Sequence, residues 1–214
     1  MWGMTRLLPD DQVVTAYREL RERMCDLWMM LSDVDAMTRV PFCPAWTVAE
    51  LASHMVGVNE DILSGSMEGV TTEAWTQKQV DRHRGQTMAD LAECWMGLAP
   101  TFDGVLPMIP SPVNSQLVMD AVTHEHDLLH ALGRAEARDS LAVRVAVGWL
   151  LDMMNERGPS LVSAFDGVDD FTTMRVLTGR RSVAQMDLAG LDGSAIAKAL
   201  EGSPLKPPTD DIVE

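Results

Sequence analysis

The apolar positions between Asp10 and Ala36 recur every three or four residues, which predicts an amphipathic helix over about residues 10–36. Asp10 or Asp11 can cap its start. The segment 40–46 that follows contains two prolines, so it is predicted to be an extended connection. The apolar positions of this helix are Val14, Tyr17, Leu20, Met24, Leu27, Leu31 and Val34.

A second helix is predicted from Val48 to about Ser64, because Thr47 and Glu50 can form a capping box and Gly65 follows. The polar stretch 66–85 is expected to be a long excursion with a short helical turn around Trp75. Further apolar helices are predicted over about 87–99, 112–132 and 141–154, separated by connections that contain proline or glycine.

The C-terminal quarter of the chain has a mixed pattern. Residues 171–179 predict a short strand or an extended loop, and residues 182–190 and 194–200 predict short helices. Strand signals are few along the whole chain. The pattern therefore predicts a mainly α fold, a helical bundle over residues 1–158 with a small irregular C-terminal extension over 159–214 that packs on it.

Composition and charge indicate which binding partners and which cellular location are expected. A formal net charge of −15 argues against nucleic acid and anionic membrane surfaces as partners. No run of 18 apolar residues is present, and the first residues lack the apolar core of a secretory signal. Three cysteines without a CxxC pair favour a reducing compartment. We therefore expect a soluble, cytoplasmic protein.

Three of the five histidines lie within residues 118–133, at positions 124, 126 and 130. On a helix, Asp120 and His124 share one face, and His126 and His130 share another. The two faces differ by about 200° at 3.6 residues per turn, so both pairs cannot serve one site. The apolar stripe of this helix favours an inward position for Asp120 and His124, and a surface or loop position for His126 and His130.

His54 is the second inward-facing histidine, since Leu51, Val58 and Ile62 mark the inner face of its helix. Two imidazoles and one carboxylate on two helices can hold a divalent metal ion and leave coordination positions open. The same residues could instead be hydrogen-bonded core histidines beside a buried ion pair. The spacing alone leaves both interpretations open.

Two segments, CPAWTVAELASHMVG (43–57) and DAVTHEHDLLHALG (120–133), resemble the DinB-like, mycothiol-dependent maleylpyruvate isomerase family. A third, TGRRSVAQMDLAGLDG (178–193), resembles a C-terminal segment common in actinobacterial members. The resemblance implies a DinB-like four-helix bundle that binds a divalent ion, with zinc expected and nickel as an alternative. The implied ligands are His54, Asp120 and His124. Asp120 stands where the family has Glu, and Glu125 where a small residue is usual.

The resemblance also implies a role for Asp127, which would orient a metal ligand from the second coordination shell, although an exposed helical carboxylate is an alternative. Mycothiol is the implied cosubstrate of an isomerase or S-transferase that acts on a small electrophilic substrate. Arg180 and Arg181 could bind a carboxylate or the thiol cofactor, or form a solvated surface pair. No catalytic base is assigned. The chain could form a homodimer.

Two further interpretations of function stay open at this point. The chain could be a non-catalytic DinB-like module that binds a metal or a small ligand. It could also be a helical structural protein whose histidines are polar core residues. A metal assay separates the structural protein from the other two, and thiol-dependent turnover separates the enzyme from the binding module.

Overall fold

Helices dominate the computed structural model, which describes residues 6–214. The predicted mainly α, DinB-like fold class is confirmed. Across the described chain, every helix is too short or too polar to span a bilayer. The longer helices are α1 (Asp10–Trp28), α3 (Val48–Ser64), α4 (Glu73–Arg82), α5 (Met88–Val105), α6 (Val113–Ala131) and α7 (Leu141–Arg157). The shorter ones are α2 (Asp33–Ala36), α8 (Pro159–Val162), α9 (Asp170–Leu177), α10 (Val183–Leu188) and α11 (Gly193–Ala199). Strands β1 (Arg39–Val40) and β2 (Cys43–Thr47) pair antiparallel, with Arg39 opposite Thr47.

The described residues form two compact units. The N-terminal unit contains residues 14–110 and 124–136, and the C-terminal unit contains residues 6–13, 111–123 and 137–214. The predicted boundary between a bundle and an extension after residue 158 stays a prediction.

Helix α3 begins and ends where its local signals predict. The Thr47 hydroxyl accepts a hydrogen bond from the Glu50 amide at 3.3 Å, and the Glu50 carboxylate accepts one from the Thr47 amide at 2.8 Å. At the other end Gly65 has a φ of 73°, a left-handed conformation that glycine adopts without strain. This double capping fixes the register of the helix that carries His54.

Three helices differ from the predicted bounds. Helix α1 ends at Trp28, because the chain turns and Ser32 then caps the separate α2. Thr72 caps α4, so the polar excursion contains ten helical residues instead of one turn. Helix α5 continues through Pro100 to Val105. Pro100 removes the hydrogen bond to the Met96 carbonyl, and Met96 is exposed, so water can take the place of the missing donor.

The strand or extended loop predicted at 171–179 is wrong, because α9 occupies most of that segment. The Asp169 side chain accepts a hydrogen bond from the Thr172 amide at 2.9 Å and caps this helix. Phe171, Met174 and Leu177 are buried on one side of it. The prediction rested on the β-branched and aromatic residues of the segment, which are common in strands. The secondary structure that such residues adopt depends more on tertiary packing than on intrinsic preference.

The N-terminal unit packs around an aromatic core. The indole rings of Trp28 and Trp95 stack with centroids 5.0 Å apart, and Tyr17 packs against Phe102 at 5.2 Å. Trp28, Trp95 and Phe102 are completely buried. Helix α3 packs against α4 and α5 in this unit, which brings side chains of the three helices together.

The C-terminal unit places a buried guanidinium beside a carboxylate. In this unit α7 packs against α8 and α9. The Arg175 side chain on α9 is 0% exposed and lies 2.9 Å from a Glu214 carboxylate oxygen. Arg181 donates a second hydrogen bond to Glu214, at 2.6 Å. Burial opposes ionisation of Glu214, but Arg175 and Arg181 together outweigh it and lower the pKa of this carboxyl.

Replacing Glu214 with glutamine should lower the free energy of unfolding by about 2 kcal/mol at neutral pH, because a charged hydrogen-bond acceptor is lost beside a buried guanidinium. The folded-state pKa of Glu214 is lowered, so its contribution is complete above the ordinary glutamate pKa and is lost as the pH falls through the folded value. Urea unfolding of both proteins across this acidic range measures the difference. Glu201→Gln, at an exposed position, is the matched control. A constant difference at all pH values would contradict the assignment.

Candidate metal centre

His54 lies in the middle of α3 and is 3% exposed. Its Nδ1 is 2.7 Å from Oε1 of Gln79, which α4 contributes. The two helices approach closely here because residue 57 is glycine. A Cβ at that position would lie 2.5 Å from the Gln79 Cβ, closer than real side chains pack. Gly57 therefore permits the contact that fixes the His54 ring.

The partners of Gln79 determine the tautomer of His54. Gln79 Nε2 donates a hydrogen bond to Asp61 Oδ2 at 2.7 Å, and Arg82 donates to Asp61 Oδ1 at 2.6 Å. Since the Gln79 amide nitrogen faces a carboxylate, its oxygen faces His54 and accepts the Nδ1 proton. With Nδ1 as the donor, the lone pair of a neutral imidazole lies on Nε2, the atom through which such a ring binds a metal ion.

His124 on α6 meets His54 edge to face, with ring centroids 5.0 Å apart and planes at 89°. It is 9% exposed. Its Nδ1 is 3.5 Å from Oδ2 of Asp127, one helical turn further along. Asp127 is fully buried, so the alternative of an exposed carboxylate is wrong. The buried carboxyl group of Asp127 therefore lies on the Nδ1 side of the ring.

Asp120 precedes His124 by one turn of α6 and is half-buried. The four-residue spacing places its carboxylate on the helix face that carries His124. Its assignment as a metal ligand stays a prediction.

Cys43 belongs to a second group of possible metal ligands that also contains His124. Its thiol donates to Asp127 Oδ2 at 3.8 Å, and ligand atoms of Cys43, His124 and Asp127 lie within 4.8 Å of one another. Cys43 lies outside the ligand set predicted from the sequence. Trp46 packs on the His54 ring with centroids 5.4 Å apart, so the β2 segment covers this side of the histidine pair.

The surface position predicted for His126 is wrong, because this residue is only 2% exposed. Residues 121–129 are all buried, so this part of α6 is covered on every side and has no solvent face. His130 is half-buried and packs on Phe42, with ring centroids 5.1 Å apart.

Glu125 is also buried, and Arg23 donates to both of its carboxylate oxygens at 3.2 and 3.1 Å. The charge of Glu125 therefore has a local partner on α1.

The two arginines predicted to bind a cofactor make contacts within the C-terminal unit. Arg181 is the second partner of Glu214, and Arg180 donates to the Thr178 carbonyl at 2.5 Å. Their role in cofactor binding stays a prediction.

Gln79, Asp61 and Arg82 are site residues that the sequence analysis missed. The stretch that contains Gln79 and Arg82 was expected to be mostly irregular. The available signal was the cap at Thr72, which starts a helix with Trp75 and Gln79 one turn apart. That spacing could have indicated an inward-facing amide, but not its partner on another helix.

Replacing Gln79 with leucine should lower the zinc affinity of the protein about 10–100-fold, because the His54 ring loses the acceptor that orients it and selects its tautomer. A titration against a chromophoric zinc chelator measures this affinity, in proteins that all carry Cys94→Ser so that zinc does not bind at the group of Glu60, His83 and Cys94. Gln77→Leu, an exposed change on the same helix, is the control and should leave the affinity unchanged. Equal affinities in the two variants would mean that Gln79 plays no part in metal binding.

Comparison with known proteins identifies a family that this chain resembles. The model of the family described as "Mycothiol maleylpyruvate isomerase N-terminal domain" matches residues 17–142, more than half of the 214 residues. No curated protein and no solved structure matches the chain significantly. The matched region contains His54, His124 and the residues that hold their rings.

Proposed function

Since this chain belongs to the mycothiol maleylpyruvate isomerase N-terminal domain family, we propose that it is a metal-dependent enzyme that uses mycothiol to transform a small electrophilic substrate. The reaction is either an isomerisation or an S-transfer in which the whole thiol stays attached to the substrate. The observation that carries the proposal is the meeting of His54 and His124, two imidazoles on different helices whose Nδ1 sides face Gln79 and Asp127.

We assign the metal ligands as His54, Asp120 and His124. All three are groups that bind a divalent ion. Two imidazoles and a carboxylate suit zinc and leave a position for a further ligand, with nickel as the second choice. Asp127 would hold the His124 ring from outside the ligand set, and Gln79 would do the same for His54.

A divalent cation at this site would lower the pKa of a bound thiol, so that thiolate is available near neutral pH. In the isomerase version, the mycothiol thiolate adds to one carbon of an activated cis double bond. Rotation about the resulting single bond and elimination of the same thiolate give the trans isomer. In the transferase version, the carbon–sulfur bond is kept and a proton is added to the neighbouring carbon. The chain's own residues position the ligands and cover them from solvent, as Trp46 covers His54.

The proposal is tested with zinc-reconstituted protein, mycothiol and maleylpyruvate, with other cis-configured electrophiles in parallel. We expect turnover that requires both zinc and mycothiol and that falls about 100-fold or more in His124→Ala. Stoichiometric zinc binding without thiol-dependent turnover of any substrate would favour the alternative, a non-catalytic metal- or ligand-binding DinB-like protein. The absence of zinc binding would contradict the metal-dependent proposal as a whole.

A further inference from the structure

A second group of metal-binding side chains lies in the N-terminal unit, apart from the histidine pair. It consists of Glu60 on α3, His83 at the C-terminal end of α4 and Cys94 on α5. Each offers one ligand atom, and these atoms all lie within 4.8 Å of one another. We propose that Glu60, His83 and Cys94 form a second site for a divalent metal ion, with zinc as the preferred ion.

The distances suit a zinc site. His83 Nε2 lies 3.0 Å from Glu60 Oε2, and Cys94 Sγ lies 3.7 Å from Glu60 Oε1. Tetrahedral zinc with bonds of about 2.0–2.3 Å requires neighbouring ligand atoms about 3.3–3.8 Å apart. Small side-chain rotations therefore suffice to admit the ion. A carboxylate oxygen, an imidazole nitrogen and a thiolate are all ligands that zinc accepts.

His83 is already oriented for this role. Its side chain is 4% exposed, and its Nδ1 lies 2.9 Å from Gln86 Oε1. An acceptor at Nδ1 directs the ring so that Nε2 faces Glu60 and Cys94, the arrangement that outer partners give to metal-binding histidines.

The charges around the group also favour a cation. Arg82 donates one hydrogen bond to Glu60 and one to the neighbouring Asp61, both at 2.6 Å. Two carboxylates and one guanidinium leave a single negative charge, and a Cys94 thiolate would add a second. A divalent ion balances both.

This site is independent of the proposed function, because it shares no ligand with the histidine pair. The two sites are neighbours, because Arg82 contacts both Glu60 of this group and Asp61, which binds the Gln79 side chain beside His54. The two proposed metal positions therefore have separate ligands, and the second one includes Cys94.

Cobalt(II) titration of metal-free protein tests the second site, because cobalt bound to a thiolate has an intense charge-transfer absorption in the near ultraviolet. We expect this absorption in the unmodified protein, its loss in Cys94→Ser, and its retention in Cys43→Ser and in His124→Ala. His83→Gln, which keeps the thiol, should weaken cobalt binding about tenfold or more. Circular dichroism of each variant verifies that it is folded.

Two outcomes would overturn the proposal. One is the absence of the thiolate absorption in the unmodified protein at saturating cobalt. The other is its persistence in Cys94→Ser and its loss in Cys43→Ser, which would assign the thiolate to the group around His124. Neither outcome affects the proposed function, which depends on His54 and His124 and on turnover.

Discussion

Replacing His124 with alanine is expected to lower the zinc affinity of the proposed site at His54, Asp120 and His124 by more than about 100-fold. Loss of an outer partner of a metal ligand typically costs 10–100-fold, and here a proposed ligand itself is removed. The remaining imidazole of His54 would keep its hydrogen bond to Gln79 but would no longer face a second imidazole. Competition with a chromophoric chelator measures the affinity, with Cys94→Ser present in every protein so that the second site does not contribute.

Two control variants make this prediction specific. His130→Ala changes a histidine on the same helix that is outside the predicted ligand set, and its zinc affinity should equal that of the parent protein. Cys43→Ser should also leave the affinity unchanged. A large loss in Cys43→Ser would move the ion to the group of Cys43, His124 and Asp127. Unchanged affinity in His124→Ala would contradict the proposed ligand set.

Replacing Arg23 with methionine is expected to lower the free energy of unfolding by about 3 kcal/mol at neutral pH. Glu125 is 1% exposed, and Arg23 holds both of its carboxylate oxygens. Burial raises the pKa of Glu125, and the charge of Arg23 opposes that rise. Methionine keeps the apolar stem but leaves a buried carboxylate without its cation. Urea unfolding at neutral pH measures the effect.

The neighbouring Arg18 provides the matched control for Arg23. Its side chain is 46% exposed, and its partner Asp103 is also held by Arg21, so Arg18→Met should cost less than about 1 kcal/mol. The double variant Arg23→Met/Glu125→Met removes both charges and should recover most of the lost stability. Equal, small losses in Arg23→Met and Arg18→Met would show that the Glu125 pair contributes little.

The parts of the fold that follow from local sequence could be predicted. Thr47 and Glu50 cap α3 through contacts within three residues, and Gly65 ends it through its own backbone conformation. Gly133 likewise adopts a positive φ just beyond α6, as expected for a helix that ends near it. These signals act over one turn of helix, so the sequence alone contains them.

The features that depend on tertiary contacts could not be predicted in this way. His126 was expected to reach the surface because only one face of α6 was assigned to the core, yet residues 121–129 of that helix are all buried. The helix at Asp170–Leu177 has a strand-like composition and forms because its apolar face packs. Gln79 meets His54 across 25 positions of sequence, and nothing in its own segment indicates that partner.

The candidate ligands show the same division. Asp120 and His124 could be paired from helical spacing, and His54 could be added because it lies near the inner face of its own helix; the family resemblance then implied the same three ligands. The outer partners are different, since Gln79, Asp61 and Arg82 come together only when α3 and α4 pack at Gly57. The second metal group was missed for the same reason, because Glu60, His83 and Cys94 come from three helices.

The proposal that His54, Asp120 and His124 bind the metal ion is tested by an anomalous difference map at the zinc absorption edge, from crystals of the zinc-loaded protein. We expect a peak about 2.0–2.1 Å from Nε2 of both His54 and His124, with an Asp120 carboxylate oxygen as the third protein ligand. A map without a peak between the two rings, or with zinc bound instead to Cys43 and Asp127, would contradict it.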